Sequence, residues 1–299
     1  MADLRRARAG VIGGSGIYEI PGLTEVEECR VETPFGLPSD SLRIGRLQGM
    51  ETVFLARHGR RHHLLPGEVP YQANIWAMRS LDVNWLISVS AVGSLQDHLR
   101  PRDMVVPDQL IDRTLQRPQT FFGEGCVAHV SLADPFCPKL SELIADVAAA
   151  SLPEGQLLHR GGTYLGVEGP AFSSRAESEL FRSWGCSVIG MTNHTEARLA
   201  REAELAYASL CMVTDYDCWH PDHHAVTAAM VIANLRANAE ATNPILSRLM
   251  KRLDQERPES AAHSALADAL VTPMDHVPAK TRQRLDLLTS PYWGQWNQP

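Results

Sequence analysis

Two carboxylates separated by one residue follow a short apolar segment in the last third of the chain. Ala206 to Val213 is a nearly continuous apolar run of strand length, and Asp215 and Asp217 come just after it. Such runs are typical of parallel strands that helices cover on both faces. Ligands of open α/β sheets bind beyond the carboxyl ends of strands, so this pair suits a flat ligand rich in N–H groups. A solvated turn would also contain Asp, and the pair alone does not decide between the two interpretations.

Three other predicted strands end in residues that suit an anion. Glycine turns let backbone N–H groups approach an anion closely, and a guanidinium binds oxyanions through two parallel hydrogen bonds. The three ends are Gly14–Ser15 after Val11–Ile12, Arg57–His58 after Thr52–Ala56, and Ser90–Ala91 in a small, hydroxyl-bearing turn after Trp85–Ser90. Each could be a plain turn or a solvated basic loop. Their shared position at one sheet edge favours a site for phosphate and a purine.

The order of elements predicts an α/β fold that would bring these ends together. Strand-length apolar runs alternate with helical patterns at 71–81, 140–150, 196–204 and 227–253. The alternating residues 42–47 predict the arm of an antiparallel hairpin. Ser174 followed by Glu177 predicts a capping box at the start of a helix that ends near Trp184. Pro244 would kink or divide the last of these helices.

No internal repeat or linker divides the chain. We therefore predict one domain over residues 1–253 and a helical C-terminal extension over 254–299, which either contacts a neighbouring subunit or is in part disordered.

Composition excludes several other classes of protein. Hydrophobic residues make up 44% and charged residues 21% of the 299 residues, as in an ordinary globular chain. The net charge of −7 argues against a general nucleic-acid-binding surface. No apolar run approaches the roughly 20 residues of a membrane span, and no apolar core follows the basic start that would make a signal peptide. We expect a cytoplasmic protein that binds neither nucleic acid nor membrane.

The cysteines and histidines give no recognisable metal or disulfide pattern. Six cysteines are spread without a CxxC pair, and a large cytosolic protein gives no reason to join them. His220, His223 and His224 form an HxxHH pattern, but no cysteine or carboxylate frame completes a zinc site. The sequence predicts no metal.

Nine segments in order between Val11 and Leu253 resemble the methylthioadenosine phosphorylase branch of the purine nucleoside phosphorylase family. They are IGGSG, TPFGLPSD, ARHGRRH, YQANIWA, SAVGSL, DQLIDRT, ADPFCP, EGPAFSSRAES and VTDYDCW. The resemblance implies an α/β fold in which a mixed sheet forms a distorted barrel surrounded by helices. It also implies a homotrimer and leaves open whether trimers pair further.

The implied reaction is the reversible phosphorolysis of S-methyl-5'-thioadenosine to adenine and 5-methylthioribose 1-phosphate. Inorganic phosphate would be the co-substrate, the nucleoside and phosphate the small-molecule ligands, and no cofactor would be needed.

The resemblance also assigns roles to individual residues. The implied phosphate ligands are Ser15, Arg57, His58, Ser90, Ala91 and Thr192. The implied catalytic pair facing the base is Asp215 and Asp217, with Phe172 and Ser173 beside it. The implied residues around the sugar and the methylthio group are Met191 under the ribose, His62, Val231 and Ile232 at the methylthio end, and His129 from a neighbouring subunit.

Asp215 also gives an argument about the base. A carboxylate accepts a hydrogen bond from the 6-amino group of adenine, whereas a 6-oxopurine would present an acceptor to it. A raised pKa would let the same carboxyl share or donate a proton at N7 of the leaving base.

The alternatives are a 6-oxopurine or methylthioinosine phosphorylase, a hydrolase that uses water, and a nucleoside- or phosphate-binding protein without turnover. Two departures from the family pattern bear on the choice. Ala171 stands where the family often has Arg, and Asn193 to Glu196 replaces a Thr-Val-Pro-Glu-like run in what we predict to be a loop beside the phosphate and the base.

Overall fold

The computed structural model describes residues 8–14, 17, 20–221 and 228–293, with the side chains of 228–233 and 235–237 excepted. Over these residues a mixed sheet of eleven strands is surrounded by six helices. The strands are β1 (Arg8–Gly13), β2 (Thr24–Cys29), β3 (Leu42–Leu47), β4 (Met50–Ala56), β5 (Val83–Ser94), β6 (Met104–Val106), β7 (Gln109–Arg113), β8 (Leu158–Arg160), β9 (Thr163–Val167), β10 (Val188–Gly190) and β11 (Ala206–Asp215). The helices are α1 (Tyr71–Ser80), α2 (Pro138–Ala149), α3 (Arg175–Ser183), α4 (Asn193–Glu202), α5 (Ala228–Glu256) and α6 (Ala279–Trp293).

Four neighbouring strands, in the order β4, β1, β5 and β11, run parallel at the centre of the sheet. Strand β11 is buried over its whole length, as its continuous apolar sequence predicts. Since parallel strands point the same way, their carboxyl ends meet at one edge. The prediction that Gly14, Arg57 and Asp215 share a sheet edge is confirmed.

The α/β class with a mixed sheet is confirmed, but the sheet is open rather than closed into a complete barrel. One path runs β2-β3-β4-β1-β5-β10-β9-β7, and a branch from β5 continues through β11 to β6 and β8. The antiparallel arm predicted at 42–47 is β3, which pairs with β2 and β4. Strand β2 carries three glutamates and is largely exposed, which suits an edge that other strands should not join.

Two predicted local structures near the site are wrong. Ser90 to Ser94 does not form a turn but is the last part of β5, because β11 and the antiparallel β10 both pair with it there. Residues Asn193 to Glu196 do not form a loop but the first turn of α4, which begins three residues earlier than its apolar pattern indicates.

The remaining helices follow the sequence closely. Ser174 and Glu177 form the predicted capping box at the start of α3. Helix α5 continues through Pro244 without a break in its assigned range.

The segment after α5 packs on the body of the protein. Leu266, Leu285, Leu288 and Trp293 belong to the same buried apolar cluster as α1 and the adjacent face of the sheet. Glu204, between α4 and β11, accepts hydrogen bonds at one oxygen from the Leu266 N–H (3.0 Å) and the Tyr292 hydroxyl (2.5 Å). Whether this extension also contacts a second subunit stays a prediction.

Among the helices that the structure describes, none has the length and apolar character needed to cross a bilayer.

Candidate active site

A cavity of about 600 Å³ opens at the carboxyl edge of the parallel strands. Most of the residues that the sequence assigns to a site lie on its walls. They are Arg57, His58, His62, Ser90, Ala91, Phe172, Ser173, Met191, Thr192, Asp215 and Asp217. Loop residues His63 to Pro66 and the strand residues Val92, Gly93, Val167 and Ile189 complete much of the lining.

Four predicted site residues are not placed in this cavity. Ser15 lies outside the described residues, and so do the side chains of Val231 and Ile232 in α5. His129 is not among the lining residues, and its backbone N–H donates to the Ala269 carbonyl at 2.8 Å. Because the resemblance places His129 in a neighbouring subunit's site, its role stays a prediction.

Asp215 is a buried carboxyl at the end of β11, beside a register shift after Val213. The Thr214 hydroxyl donates to its Oδ2 at 2.7 Å, and the Asp217 N–H donates to its Oδ1 at 2.8 Å. Burial raises the pKa of Asp215 to about 6, and these two hydrogen bonds oppose the shift only in part. The group can therefore hold or release a proton close to neutral pH.

Asp217 is a second buried carboxyl, two residues further along. Its backbone has a positive φ of 50°, which Asp tolerates better than most residues. Burial raises its pKa, while the nearby hydroxyls of Ser178 and Ser173 work in the opposite direction. Neither of these hydroxyls has a well-aligned partner within the described part of the chain.

Gly93 leaves the space that Asp215 occupies. It pairs with Asp215 across β5 and β11, and a Cβ atom there would lie 2.9 Å from Asp215 Oδ1 and 3.0 Å from Ile189 Cγ2. The first contact is too short for an alanine unless the carboxylate moves, and the second requires Ile189 to shift by a few tenths of an ångström. Gly93 therefore leaves the room that the Asp215 carboxylate needs in its present position.

Arg57 is held by a residue that sequence reasoning did not assign to the site. Its Nε and Nη2 donate to the two carboxylate oxygens of Glu196, the second at 3.1 Å, and each side chain is only 1% exposed. Nη2 also donates to Ser88 Oγ at 2.6 Å, and Nη1 donates to the Val89 carbonyl at 3.2 Å. Burial acts to lower the pKa of Arg57, but the charge and hydrogen bonds of Glu196 outweigh it and raise the pKa.

The carboxylate of Glu196 is itself fixed. Tyr207 on β11 donates its hydroxyl to Glu196 Oε2 at 2.9 Å. No spacing rule joins Arg57 to Glu196, because 139 residues separate them in sequence. The sequence gives only an indirect indication of this pair: a glutamate on the inner face of a helix requires a cation or a proton as its partner.

His58 is a neutral imidazole at neutral pH. Its Nδ1 lies 2.8 Å from the Leu64 carbonyl, and because a carbonyl only accepts, Nδ1 carries the proton. Burial and the charge of Arg57 lower its pKa to about 4. At neutral pH its Nε2 therefore offers a lone pair. The ring stacks on His62 with 4.7 Å between centroids.

Thr192, directly before the first turn of α4, lies on the cavity wall. Thr192 is the residue before the helix, and its N–H lies 3.3 Å from the Tyr164 hydroxyl. Asn193 points inward, where its Nδ2 donates to Ser209 Oγ and its Oδ1 accepts from Ser88 Oγ at 3.3 Å. The amino end of this ten-residue helix carries partial positive charge and favours an anion beside it.

Within the residues that the structure describes, no group of three or more His, Cys, Asp or Glu side chains could bind a metal ion. His223 and His224 of the HxxHH pattern lie outside those residues.

Comparison with known proteins identifies the family. The sequence model that describes the phosphorylase superfamily matches residues 8–251 of this chain. The chain belongs to the phosphorylase superfamily. Within the superfamily, the S-methyl-5'-thioadenosine phosphorylase of Prochlorococcus marinus is 60% identical over 295 residues, which are 99% of this chain and 94% of that protein. The enzyme of the same name from Thermosynechococcus vestitus is 55% identical over 287 residues, 96% of this chain and 99% of that protein.

Solved structures of the superfamily give the same result. A methylthioadenosine phosphorylase from an antarctic soil metagenomic library superposes with a TM-score of 0.89 at 48% identity, covering 94% of this chain and 98% of that one. The Schistosoma mansoni enzyme in complex with tubercidin superposes with a TM-score of 0.78 at 34% identity, covering 84% of this chain and 93% of that one. These matches place the chain in the methylthioadenosine phosphorylase branch of the superfamily.

Proposed function

We propose that this protein catalyses the reversible phosphorolysis of S-methyl-5'-thioadenosine to adenine and 5-methylthioribose 1-phosphate. The observation that carries the proposal is the position of Asp215. This buried carboxyl can hold or release a proton close to neutral pH. It lies on one wall of a cavity whose other residues include Arg57, His58, Ser90 and Thr192. An acid for the base and the Ser90 and Thr192 hydroxyls as donors for an anion therefore face one space large enough for a nucleoside.

Phosphate would bind between the end of β5 and the first turn of α4. The hydroxyls of Ser90 and Thr192 and the amino end of α4 supply donors there, and Arg57 lies behind them in the interior. Inorganic phosphate is the co-substrate in this proposal, and no cofactor takes part.

Cleavage would proceed by loss of the base and capture of the sugar by phosphate. The glycosidic bond breaks with positive charge developing on the ribose and negative charge on the purine, and Asp215 donates or shares a proton at N7. Met191 presents a soft, apolar side chain to the sugar, where it tolerates the developing cation. The bound phosphate oxygen offsets that charge and then forms the new bond to carbon.

The acidic pair also supports the choice of base. Each oxygen of Asp215 accepts one hydrogen bond within the chain and keeps a second lone pair for an exocyclic amino group. Asp217 lies beside it, and Phe172 and Ser173 are also on the cavity wall. A 6-oxopurine would bring an acceptor against this carboxylate, and we therefore propose a preference for adenine.

The loop at His62 to Pro66, whose last three residues are apolar, would border the methylthio group, together with Val231 and Ile232 of α5. We further propose that the active unit is a homotrimer in which His129 reaches a neighbouring site. Sedimentation analysis of the protein tests this point, and a stable, fully active monomer would contradict it. The cytoplasmic location stays a prediction.

The reaction is tested by measuring adenine release from methylthioadenosine with and without phosphate, beside methylthioinosine and adenosine. We expect release that requires phosphate and is fastest with methylthioadenosine. Release without phosphate would identify a hydrolase, and faster cleavage of methylthioinosine would identify the 6-oxopurine alternative. Binding without any product would identify a nucleoside-binding protein.

A further inference from the structure

Arg117 is a buried guanidinium directly behind the cavity, in the polar segment after β7. Its side chain is 1% exposed, although it is not itself among the cavity-lining residues. Nothing in its sequence context indicates a site. Its contacts, however, reach three separate segments that form the wall.

The first contacts are to the main chain of that wall. Nη2 of Arg117 donates to the Glu168 carbonyl at 2.6 Å and lies 3.4 Å from the Met191 carbonyl. Glu168 precedes Gly169 and Pro170, and a Cβ atom on Gly169 would lie 2.5 Å from the sulfur of Met191. One nitrogen therefore joins the two backbone segments that pack together beneath the sugar end of the cavity.

The guanidinium is held from its other sides as well. Nη1 forms an ion pair with Glu168 Oε1 at 2.9 Å, and Glu168 Oε2 accepts from the N–H groups of Leu115 and Gln116. The guanidinium carbon lies 5.6 Å from the ring centroid of Tyr71, whose hydroxyl donates to the Pro66 carbonyl at 2.9 Å. Through Tyr71 the same residue is connected to the cavity loop that contains Leu64 to Pro66.

We propose that Arg117 is a positioning residue for the nucleoside: it fixes Met191 and the 168–170 loop relative to the sugar. This inference rests on the proposed function. Ala171, which follows this loop, is exposed, and the structure does not explain its departure from the family's arginine.

The effect should be specific to the nucleoside. Arg117 makes no hydrogen bond to Ser90, Ala91 or Thr192 in the described part of the chain, and the Thr192 N–H is directed to Tyr164 instead. Loss of the two carbonyl contacts should shift Met191. The Tyr164 hydroxyl, which contacts the N–H groups of Thr192 and Asn193, should limit the shift that reaches Thr192 through the shared peptide. Lysine cannot reproduce the planar, two-sided geometry of arginine, although it keeps the charge.

The test is a comparison of Arg117→Lys and Arg117→Met with Arg198→Lys as the matched control. Arg198 lies on α4, contacts Asp112 and Gln119, and is not among the residues that line the cavity. We expect both Arg117 variants to raise the KM for methylthioadenosine about tenfold to a hundredfold, as small displacements in a site do. The KM for phosphate should stay within about twofold, and Arg198→Lys should change neither constant.

Urea unfolding and calorimetric titration with methylthioadenosine separate this role from a loss of folding. A folded variant with weakened nucleoside binding supports the inference. If Arg117→Lys does not fold, the same measurements are made on Arg117→Met. Unchanged nucleoside binding, or equal losses for nucleoside and phosphate, would overturn it. If the unaltered protein releases no adenine with phosphate, the proposed function itself fails, which is a separate result.

Discussion

The guanidinium of Arg57 and the carboxylate of Glu196 face each other in the interior, where each side chain is 1% exposed. One comes from the end of β4 and the other from the first turn of α4, so the pair joins two sides of the proposed phosphate site. Arg57 therefore reaches the site already neutralised. The phosphate would therefore meet a guanidinium that is fixed in orientation and whose charge is balanced by Glu196.

Replacing Glu196 with Gln should destabilise the protein strongly. Removing one partner of a buried pair leaves the other charge uncompensated, at a cost of about 3–5 kcal/mol in the free energy of unfolding. Urea unfolding measures this cost. The matched control is Glu256→Gln in the exposed Arg252–Glu256 pair of α5, where about 1 kcal/mol or less is expected. Equal, small effects of the two variants would contradict the role given to the buried pair.

The pH dependence of stability should report on Asp215. Its pKa is raised from 3.8 to about 6, so the folded state binds the proton more tightly and stability falls as pH rises towards 6. Asp215→Asn has no carboxyl at this position to titrate and should not show this fall in stability. The stability of the variant relative to the unaltered protein should rise by roughly 1–1.5 kcal/mol between pH 5 and 7.5. A constant difference across that window, measured by urea unfolding, would show that Asp215 does not titrate there.

The same substitution should change the preference for the base. An amide can donate to the 6-oxo group that a carboxylate repels. Asp215→Asn should therefore change the ratio of the two kcat/KM values, methylthioadenosine over methylthioinosine, by about tenfold or more in favour of methylthioinosine. Initial rates with both nucleosides at saturating phosphate give this ratio. An unaltered ratio would mean that another group selects the base.

His58 allows its two ring nitrogens to be tested separately. In His58→Asn the side-chain amide nitrogen can take the place of Nδ1 and keep the hydrogen bond to the Leu64 carbonyl. In His58→Gln the longer side chain instead places its amide at the position of Nε2. If Nε2 accepts a hydrogen bond from hydrogen phosphate, His58→Asn should keep the fold and raise the KM for phosphate about tenfold. His58→Gln should mainly lower stability. With a pKa of about 4, His58 itself should add no inflection to phosphate binding between pH 6 and 8.

Gly93→Ala should impair chemistry through Asp215. The added methyl group would lie 2.9 Å from Asp215 Oδ1, and moving this carboxylate by a few tenths of an ångström should lower kcat/KM about tenfold or more. The loss should be smaller in an Asp215→Asn background, because the displaced group has already lost its role. Full additivity of the two losses would argue for a general packing defect.

Much of the fold and part of the site could be predicted from the sequence. The apolar run at Ala206 to Val213 is long, uniform and followed by polar residues, so both its buried position and the location of Asp215 at its end follow from local pattern. Arg57 and His58 follow β4 for the same reason. Parallel pairing then brings these ends together without further information.

The parts that could not be predicted depend on contacts between distant segments. Ser90 to Ser94 has the composition of a turn, and only pairing with β10 and β11 makes it a strand. Glu196 and Arg117 look like surface charges in their local sequence, yet each is buried by a partner far away in the chain. The charge state of His58 likewise depends on the Leu64 carbonyl and on Arg57, which spacing does not reveal.

The C-terminal packing has a consequence for how the protein is made. Leu285, Leu288 and Trp293 close an apolar surface built from α1 and the sheet, and Trp85 donates its indole N–H to the Pro258 carbonyl at 2.9 Å. These residues come after α1 and the whole sheet in the order of the chain, so they are synthesised later. We therefore expect the nascent chain to stay incompletely folded, with this apolar surface open to chaperones, until residues 258–293 have been synthesised and can pack on it.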